Sequence, residues 1–185
     1  MSTAIVPLAE YLSTVYEADC DYVDGVVEER NAGERTHSWT MSLVASDLLT
    51  RYAPSGREVL IALRVQVSPT RIRVPDICLT LSDPGEEILT NPPYLCIEII
   101  APEDRVTRLA VRIQDYLSMG VPNVWVIDPV TRQAYTATPE QGLREVKSGI
   151  LRTGEPVIEL PLNGLWARSE EHTSELQSHS FISYA

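Results

Sequence analysis

The alternation of apolar and polar positions divides the chain into helix-like and strand-like stretches. The sharpest is residues 103–120, EDRVTRLAVRIQDYLSMG, where Val106, Leu109, Ala110, Ile113 and Leu117 recur at helical spacing and Gly120 supplies a stop. A second helix is expected in THSWTMSLVASDLLTRYA, capped by Thr36 or Ser38, with Leu43, Leu48 and Leu49 on its apolar side. A short one is expected in PLAEYLSTVY near the start. Between these lie runs rich in β-branched residues. REVLIALRVQVSPT and RIRVPDICLTL read as two strands joined at Pro69, and DYVDGVVEERN as an extended pair turning at Asp24-Gly25. YLCIEII and VPNVWVIDP are nearly continuous apolar runs, the pattern of strands covered on both faces. TRQAYTAT, LREVKSGIL and PVIELPL suggest antiparallel strands closing the sheet, and SDPGEEILTNPP reads as loop. No internal repeat is present. The pattern predicts an α/β domain: a mixed β-sheet flanked by helices.

Composition agrees with one folded domain. The chain has 185 residues, 44% of them apolar and 22% charged, enough for a single core. No apolar run approaches the roughly 18 residues of a membrane span, and MSTAIVPLAEYL has no basic region followed by an apolar stretch, so neither a membrane segment nor a signal peptide is expected. Cys20, Cys78 and Cys96 are odd in number and lack CxxC spacing; they read as buried free thiols of a reducing compartment, which points to the cytoplasm. A net charge of −11 argues against casual binding to nucleic acid, which needs clustered cations. Lys147 is the only lysine, and arginine supplies the remaining positive charge.

The last stretch, RSEEHTSELQSHSFISYA, departs from the rest: it is polar and has no helical or strand period. It resembles a translated sequencing-library adapter. Residues 168–185 are therefore expected to be a non-native, disordered tail after a single domain over 1–167, and are set aside from functional reasoning. With them go His172 and His179, which leaves His37 as the one histidine and removes any site built on several.

Two carboxylates stand inside apolar strands: Asp76 in VPDICLTL and Glu98 in YLCIEII. Burying a carboxylate is costly unless something pairs with it, and two side by side raise each other's pKa. A divalent cation would relieve both. Mg²⁺ or Mn²⁺ takes carboxylate and backbone oxygens plus water, so Asp76, Glu98 and the carbonyl of Ile99 form a candidate metal site. The alternative is that each carboxylate is a structural partner of Arg64, Arg71 or Arg73.

Pro75-Asp76, a loop, then Glu98 on the next strand resembles the PD-(D/E)xK nuclease superfamily. The ordered series of DG turn, histidine near a helix start, PDI, IEIIAP and YLSMGVPNVWVIDP resembles its restriction endonuclease family known as Uma-two, over about residues 7 to 166. That resemblance implies a restriction-endonuclease-like core and a Mg²⁺- or Mn²⁺-dependent endonuclease that hydrolyses DNA phosphodiester bonds. Asp76 and Glu98 would hold the metal. The superfamily lysine would sit two residues after the glutamate, where this chain has Ile100. In the family it usually lies on the following helix, four residues before the tyrosine, where this chain has Arg112. Arginine holds a phosphate or orients a water but cannot act as a base. The alternative implied is a catalytically impaired nuclease-fold module acting in DNA or protein binding. Nucleases of this fold often act as homodimers.

Other residues admit two readings. Arg105, Arg108 and Arg112 form a helical column; Arg105 and Arg108 read as a solvated face paired with Asp104 and Asp115, and Arg112 as functional. Glu28 or Glu29 could complete the acidic site or end a surface strand. His37 could serve the site or line its helix start. Trp125 and Asp128 read as core and strand-end turn.

Overall fold

The computed structural model describes residues 5–16, 20–30, 34–101 and 106–167. The expectation for the tail, and those for Asp104 and Arg105, lie outside the described residues. Among the described residues no helix is long and apolar enough to cross a membrane.

Among the described residues, twelve strands and three α-helices of defined bounds follow one another, and residues 162–167 are helical as well. The first part holds α1 (Leu8–Ser13), β1 (Cys20–Val23), β2 (Val26–Glu29), α2 (Arg35–Tyr52), β3 (Glu58–Ile61), β4 (Val65–Ser68), β5 (Arg71–Arg73) and β6 (Ile77–Thr80). The second holds β7 (Leu95–Ile99), α3 (Val106–Met119), β8 (Asn123–Asp128), β9 (Gln133–Thr138), β10 (Gly142–Glu145), β11 (Ile150–Arg152) and β12 (Glu159–Pro161). The main sheet has six strands in the order β10-β9-β8-β7-β6-β3. Its one parallel pair is β7 with β8, joined by α3 as crossover; the other pairs are antiparallel. A second sheet runs β2-β1-β5-β4.

The side-chain period of two sorts β7 between two cores. Leu95, Ile97 and Ile99 pack with Val44, Ala45 and Leu48 of α2. Cys96 points the other way, with Leu109, Ile113 and Tyr116 of α3. The central strands therefore carry apolar residues on both faces, as their unbroken runs predict. All three cysteines are buried and free, also as expected.

The structure corrects several boundaries. REVLIALRVQVSPT is two strands, broken at Ala62, whose φ is 51°. RIRVPDICLTL is also two, β5 in the small sheet and β6 in the large one. Propensity does not register a chain crossing between sheets, because both halves are equally apolar. LREVKSGIL likewise divides, and its second half pairs with PVIELPL as a separate two-stranded sheet, β11-β12, instead of closing the main one. Helix α2 begins at Arg35 after Glu34, with no side-chain cap from Thr36 or Ser38. Its buried face is His37, Thr40, Val44, Ala45 and Leu48, while Leu49 is exposed. On α3 the buried stripe is Leu109, Arg112, Ile113 and Tyr116; Val106 is 82% exposed and Ala110 is exposed. The helix ends as expected at Gly120, φ 105°, whose N–H donates to Leu117 O while Val121 N–H donates to Tyr116 O.

Candidate active site

Asp76 lies where the chain leaves β5 and enters β6. In the β6–β7 ladder Ile77 faces Ile97 and Cys78 faces Cys96, so one further step places Asp76 across from Glu98. Both then belong to the face covered by α3. The backbone directions follow from the neighbouring strand. The N–H of Ile100 donates to Ile127 O of β8 at 2.8 Å, so even-numbered residues of β7 address β8 and odd-numbered ones address β6. Ile99 accordingly faces the β6 side, and its N–H donates to Asp76 Oδ2 at 2.7 Å. The residue across from Ile99 is Pro75, which has no N–H to give. The carbonyl of Ile99, on that same edge, receives no ladder bond from it.

Asp76 is 3% exposed. Its Oδ1 accepts from Arg30 Nη2 at 2.5 Å, and its Oδ2 from His37 Nε2 at 3.3 Å as well as from Ile99. A carboxylate only accepts, so the His37 ring nitrogen is the donor. Burial pushes this carboxyl up, but the hydrogen bond from His37, the charge of Arg30 and the Ile99 N–H outweigh it and hold Asp76 below its ordinary value.

Glu98 sits differently although it is a neighbour. It is 1% exposed, and Oε1 accepts from the Tyr116 hydroxyl at 2.6 Å. Oε2 lies 3.3 Å from Arg112 Nε without hydrogen-bond alignment, and this buried oxygen has no hydrogen-bond partner among the described residues. Burial pushes Glu98 up; Arg112 opposes this, and the negative charge of Asp76 adds to it, with the net direction upward. Burial and Glu98 together push the Tyr116 phenol well above its ordinary value, so it remains a donor. The two acids are thus driven apart, one held ionised and one biased toward its proton.

Sequence reasoning placed Asp76, Glu98, Ile99 and Arg112 together, and the structure brings all four to one locus. His37 reaches it too, from the first turns of α2. The expected arginine partners do not. Arg73 is 2% exposed and clamps Asp21 and Asp115 through Nη1 and Nε, each at 2.8 Å, and Arg71 bonds Asp24 and Asp115. Asp115 therefore serves these arginines and not the exposed Arg108, and Arg64 reaches Leu12 O and Thr14 O. Glu28 lies 3.5 Å from Arg73 and Glu29 is exposed; both line a cleft of about 230 Å³ with Arg108 and Arg112. Neither joins the acidic pair, and the described residues hold no group of three or more His, Cys, Asp or Glu side chains suited to a metal. Trp125 is core, and Asp128 accepts from Val130 and Thr131 N–H groups in a strand-end turn, as expected. Arg30, which follows a polar strand end, carried no legible signal, and Tyr116 was marked only as part of the YLSMGV motif, with no role at the site.

The residues fit a hard divalent cation. The donor set is two carboxylates and one backbone carbonyl, all oxygen, as Mg²⁺ and Mn²⁺ require, with water completing the shell. The observation that favours it is the buried Glu98 Oε2, which has the charge of Arg112 nearby but no hydrogen bond among the described residues.

Comparison with known proteins bears on the family and the fold. The family model described as Uma2, putative restriction endonuclease, matches residues 9–170. No curated protein sequence matches the chain. Among solved structures, a crystal structure of a putative nuclease belonging to DUF820 from Anabaena variabilis ATCC 29413 is similar, with a TM-score of 0.77 and 21% identity. The match covers 88% of this chain and 98% of that one, and at this identity it shows the fold. The chain belongs to the Uma2 family of putative restriction endonucleases.

Proposed function

We propose that this Uma2-family chain is a Mg²⁺- or Mn²⁺-dependent endonuclease that hydrolyses DNA phosphodiester bonds at Asp76 and Glu98. The observation that carries the reading is the juxtaposition of an ionised Asp76 with a buried Glu98 whose Oε2 has no hydrogen bond. Asp76, Glu98 and the Ile99 carbonyl would hold the cation. When bound, such an ion supplies Lewis-acid polarisation of a phosphoryl oxygen and eases deprotonation of an attacking water.

The chain's own residues then have separate tasks. The Ile99 N–H and His37 fix the orientation of Asp76, and Tyr116 fixes that of Glu98. Precise orientation limits how far the acids drift between turnovers. Arg112 stands where the family's lysine usually does. It stays charged throughout, so its task is to stabilise negative charge on the phosphate, not to take a proton.

The test is cleavage of plasmid and single-stranded DNA in Mg²⁺ and in Mn²⁺, with Asp76→Ala and Glu98→Ala beside the unaltered chain. Cleavage lost in both variants supports the nuclease. Cleavage absent from a folded chain that still binds Mn²⁺ would favour a binding module that retains the fold.

A further inference from the structure

We infer that Arg30 is a substrate-binding residue held in reserve: its guanidinium neutralises Asp76 until a divalent cation enters, and then takes a phosphate oxygen of the nucleic acid. This rests on the metal-centre reading above and extends it to a residue that reading does not use.

Three observations carry it. The first is the form of the Arg30 contact. Its side chain is 12% exposed, yet it makes a single-point bond from Nη2 to Asp76 Oδ1, and its Nε is buried with no hydrogen-bond partner among the described residues. A guanidinium has five donors in a fork suited to two-point recognition of carboxylate or phosphate. Arg73 shows what a structural arginine looks like in this protein: Nε, Nη1 and Nη2 all engage Asp21 and Asp115. Arg30 is largely enclosed, though less so than Arg73, and keeps donors unused, as a group awaiting an anionic ligand does.

The second is charge. Asp76 and Glu98 are already matched by Arg30 and Arg112, and the Arg30 charge is felt by both acids. Adding a dication to that balanced set leaves two surplus positive charges in a buried site, and each guanidinium that leaves its carboxylate or each phosphate charge that arrives removes one of them. Transfer of Arg30 from Asp76 to a phosphate oxygen does both at once.

The third is position. Arg112 is fixed on the buried face of α3, whereas Arg30 lies one residue beyond the end of β2 and off the regular ladder. Displacing it disturbs no backbone pairing of β2 with β1, whose last register pair is Cys20 with Glu29. Arg112 also lines a cleft with Arg108, Arg71 and Arg73, in which Asp21, Glu28 and Glu29 stand beside the arginines.

The experiment is a Mn²⁺ titration, read by the electron paramagnetic resonance of the free ion, on the full chain and on Arg30→Met, with no nucleic acid present. Removing the competing charge is expected to tighten Mn²⁺ binding by about tenfold, within the usual span of coupled sites. Arg30→Lys, which restores the charge, is expected to return the affinity toward that of the unaltered chain. In Ca²⁺, binding of a short DNA duplex by Arg30→Met is expected to weaken, and its log–log salt dependence to lose about one unit of slope. A merely structural Arg30 would give a destabilised protein with weaker Mn²⁺ binding. Unchanged or weakened Mn²⁺ affinity in a folded Arg30→Met chain overturns the inference. Arg30→Gln, which loses the charge but keeps a donor, replaces methionine if that variant does not fold. Glu98→Gln separates the two claims: if it binds Mn²⁺ as the unaltered chain does, the metal-centre reading fails, whatever Arg30 does.

Discussion

The Tyr116 hydroxyl donates to Glu98 Oε1 at 2.6 Å, so one phenol ties the helix covering the sheet to an acid on its central strand. It is the only hydrogen bond to this carboxyl among the described residues, since Oε2 has none. The same side chain also fills the apolar core under α3. Packing and acid orientation are therefore coupled through a single residue.

Tyr116→Phe keeps the packing and removes the bond. It is expected to cost about 1–3 kcal/mol of stability, because a buried acceptor loses its donor. Mn²⁺ affinity should fall alongside, through loss of orientation at Glu98. Urea unfolding and a Mn²⁺ titration of the same sample check both; a variant with unchanged affinity would mean that Tyr116 is a core residue only.

The acidic pair sets a pH dependence with a definite sign. Glu98 has a folded-state pKa above its unfolded value of 4.5, so its contribution to stability is fully present below that value and is lost as pH rises through the raised pKa. Replacing it with glutamine removes the penalty. In the absence of metal, Glu98→Gln is therefore expected to be more stable than the unaltered chain at neutral pH, with the advantage shrinking toward pH 4. Asp76 has the opposite sign: its pKa is lowered from 3.8, and its contribution, present above that value, disappears as pH falls through the folded pKa. Melting curves across pH test the two directions separately. Because the cation needs Glu98 ionised, Mn²⁺ affinity should rise with pH over the range where Glu98 gives up its proton.

Arg112 tests whether charge or proton transfer matters at the lysine position. If its task is charge stabilisation, Arg112→Lys should keep DNA cleavage within about tenfold and Arg112→Met should lose about a hundredfold or more in rate. A large gain on introducing lysine would instead indicate that the arginine chain is an impaired enzyme. Single-turnover cleavage of a supercoiled plasmid distinguishes these results.

Arg73 provides a stability contrast. It is enclosed with Asp21 and Asp115, and Asp21 Oδ1 also accepts from Val74 N–H at 2.9 Å, just before the chain turns into β6. Arg73→Met leaves the buried Asp21 without its guanidinium and Asp115 with Arg71 alone, and a loss of about 3–5 kcal/mol is expected. Mn²⁺ binding by the fraction that remains folded should be little changed. A loss under 1 kcal/mol in urea titrations would show that the network holds little of the fold.

Cys78 and Cys96 face each other across β6 and β7 and are fully buried. Burial pushes the Cys78 thiol up to about 12, and Cys96 well above its ordinary value. Neither is a thiolate at neutral pH, so a thiol reagent such as Ellman's should label them only as fast as the chain unfolds. Rapid labelling in native buffer would show that the α3 face opens.

The sequence by itself determined the elements that one face of burial defines. The twofold apolar runs at 94–100 and 121–129, the Asp24-Gly25 turn and the Gly120 stop all reappear, because periodicity and positive-φ glycines act locally. It also marked Asp76 and Glu98, because a carboxylate in an apolar strand is conspicuous on one-dimensional reading. Only the tertiary structure decided their partners. Arg30 is 46 residues from Asp76, and Arg73 turned to Asp21, 52 residues away, since the chain crosses between two sheets at Val74–Asp76 and carries the flanking arginines to the other one. Nor could the pattern separate the pKa values of two similar acids. That difference arises from what the fold brings to each carboxylate: His37, Arg30 and the Ile99 N–H outweigh burial at Asp76, whereas Arg112 and a single phenol do not outweigh burial and the Asp76 charge at Glu98.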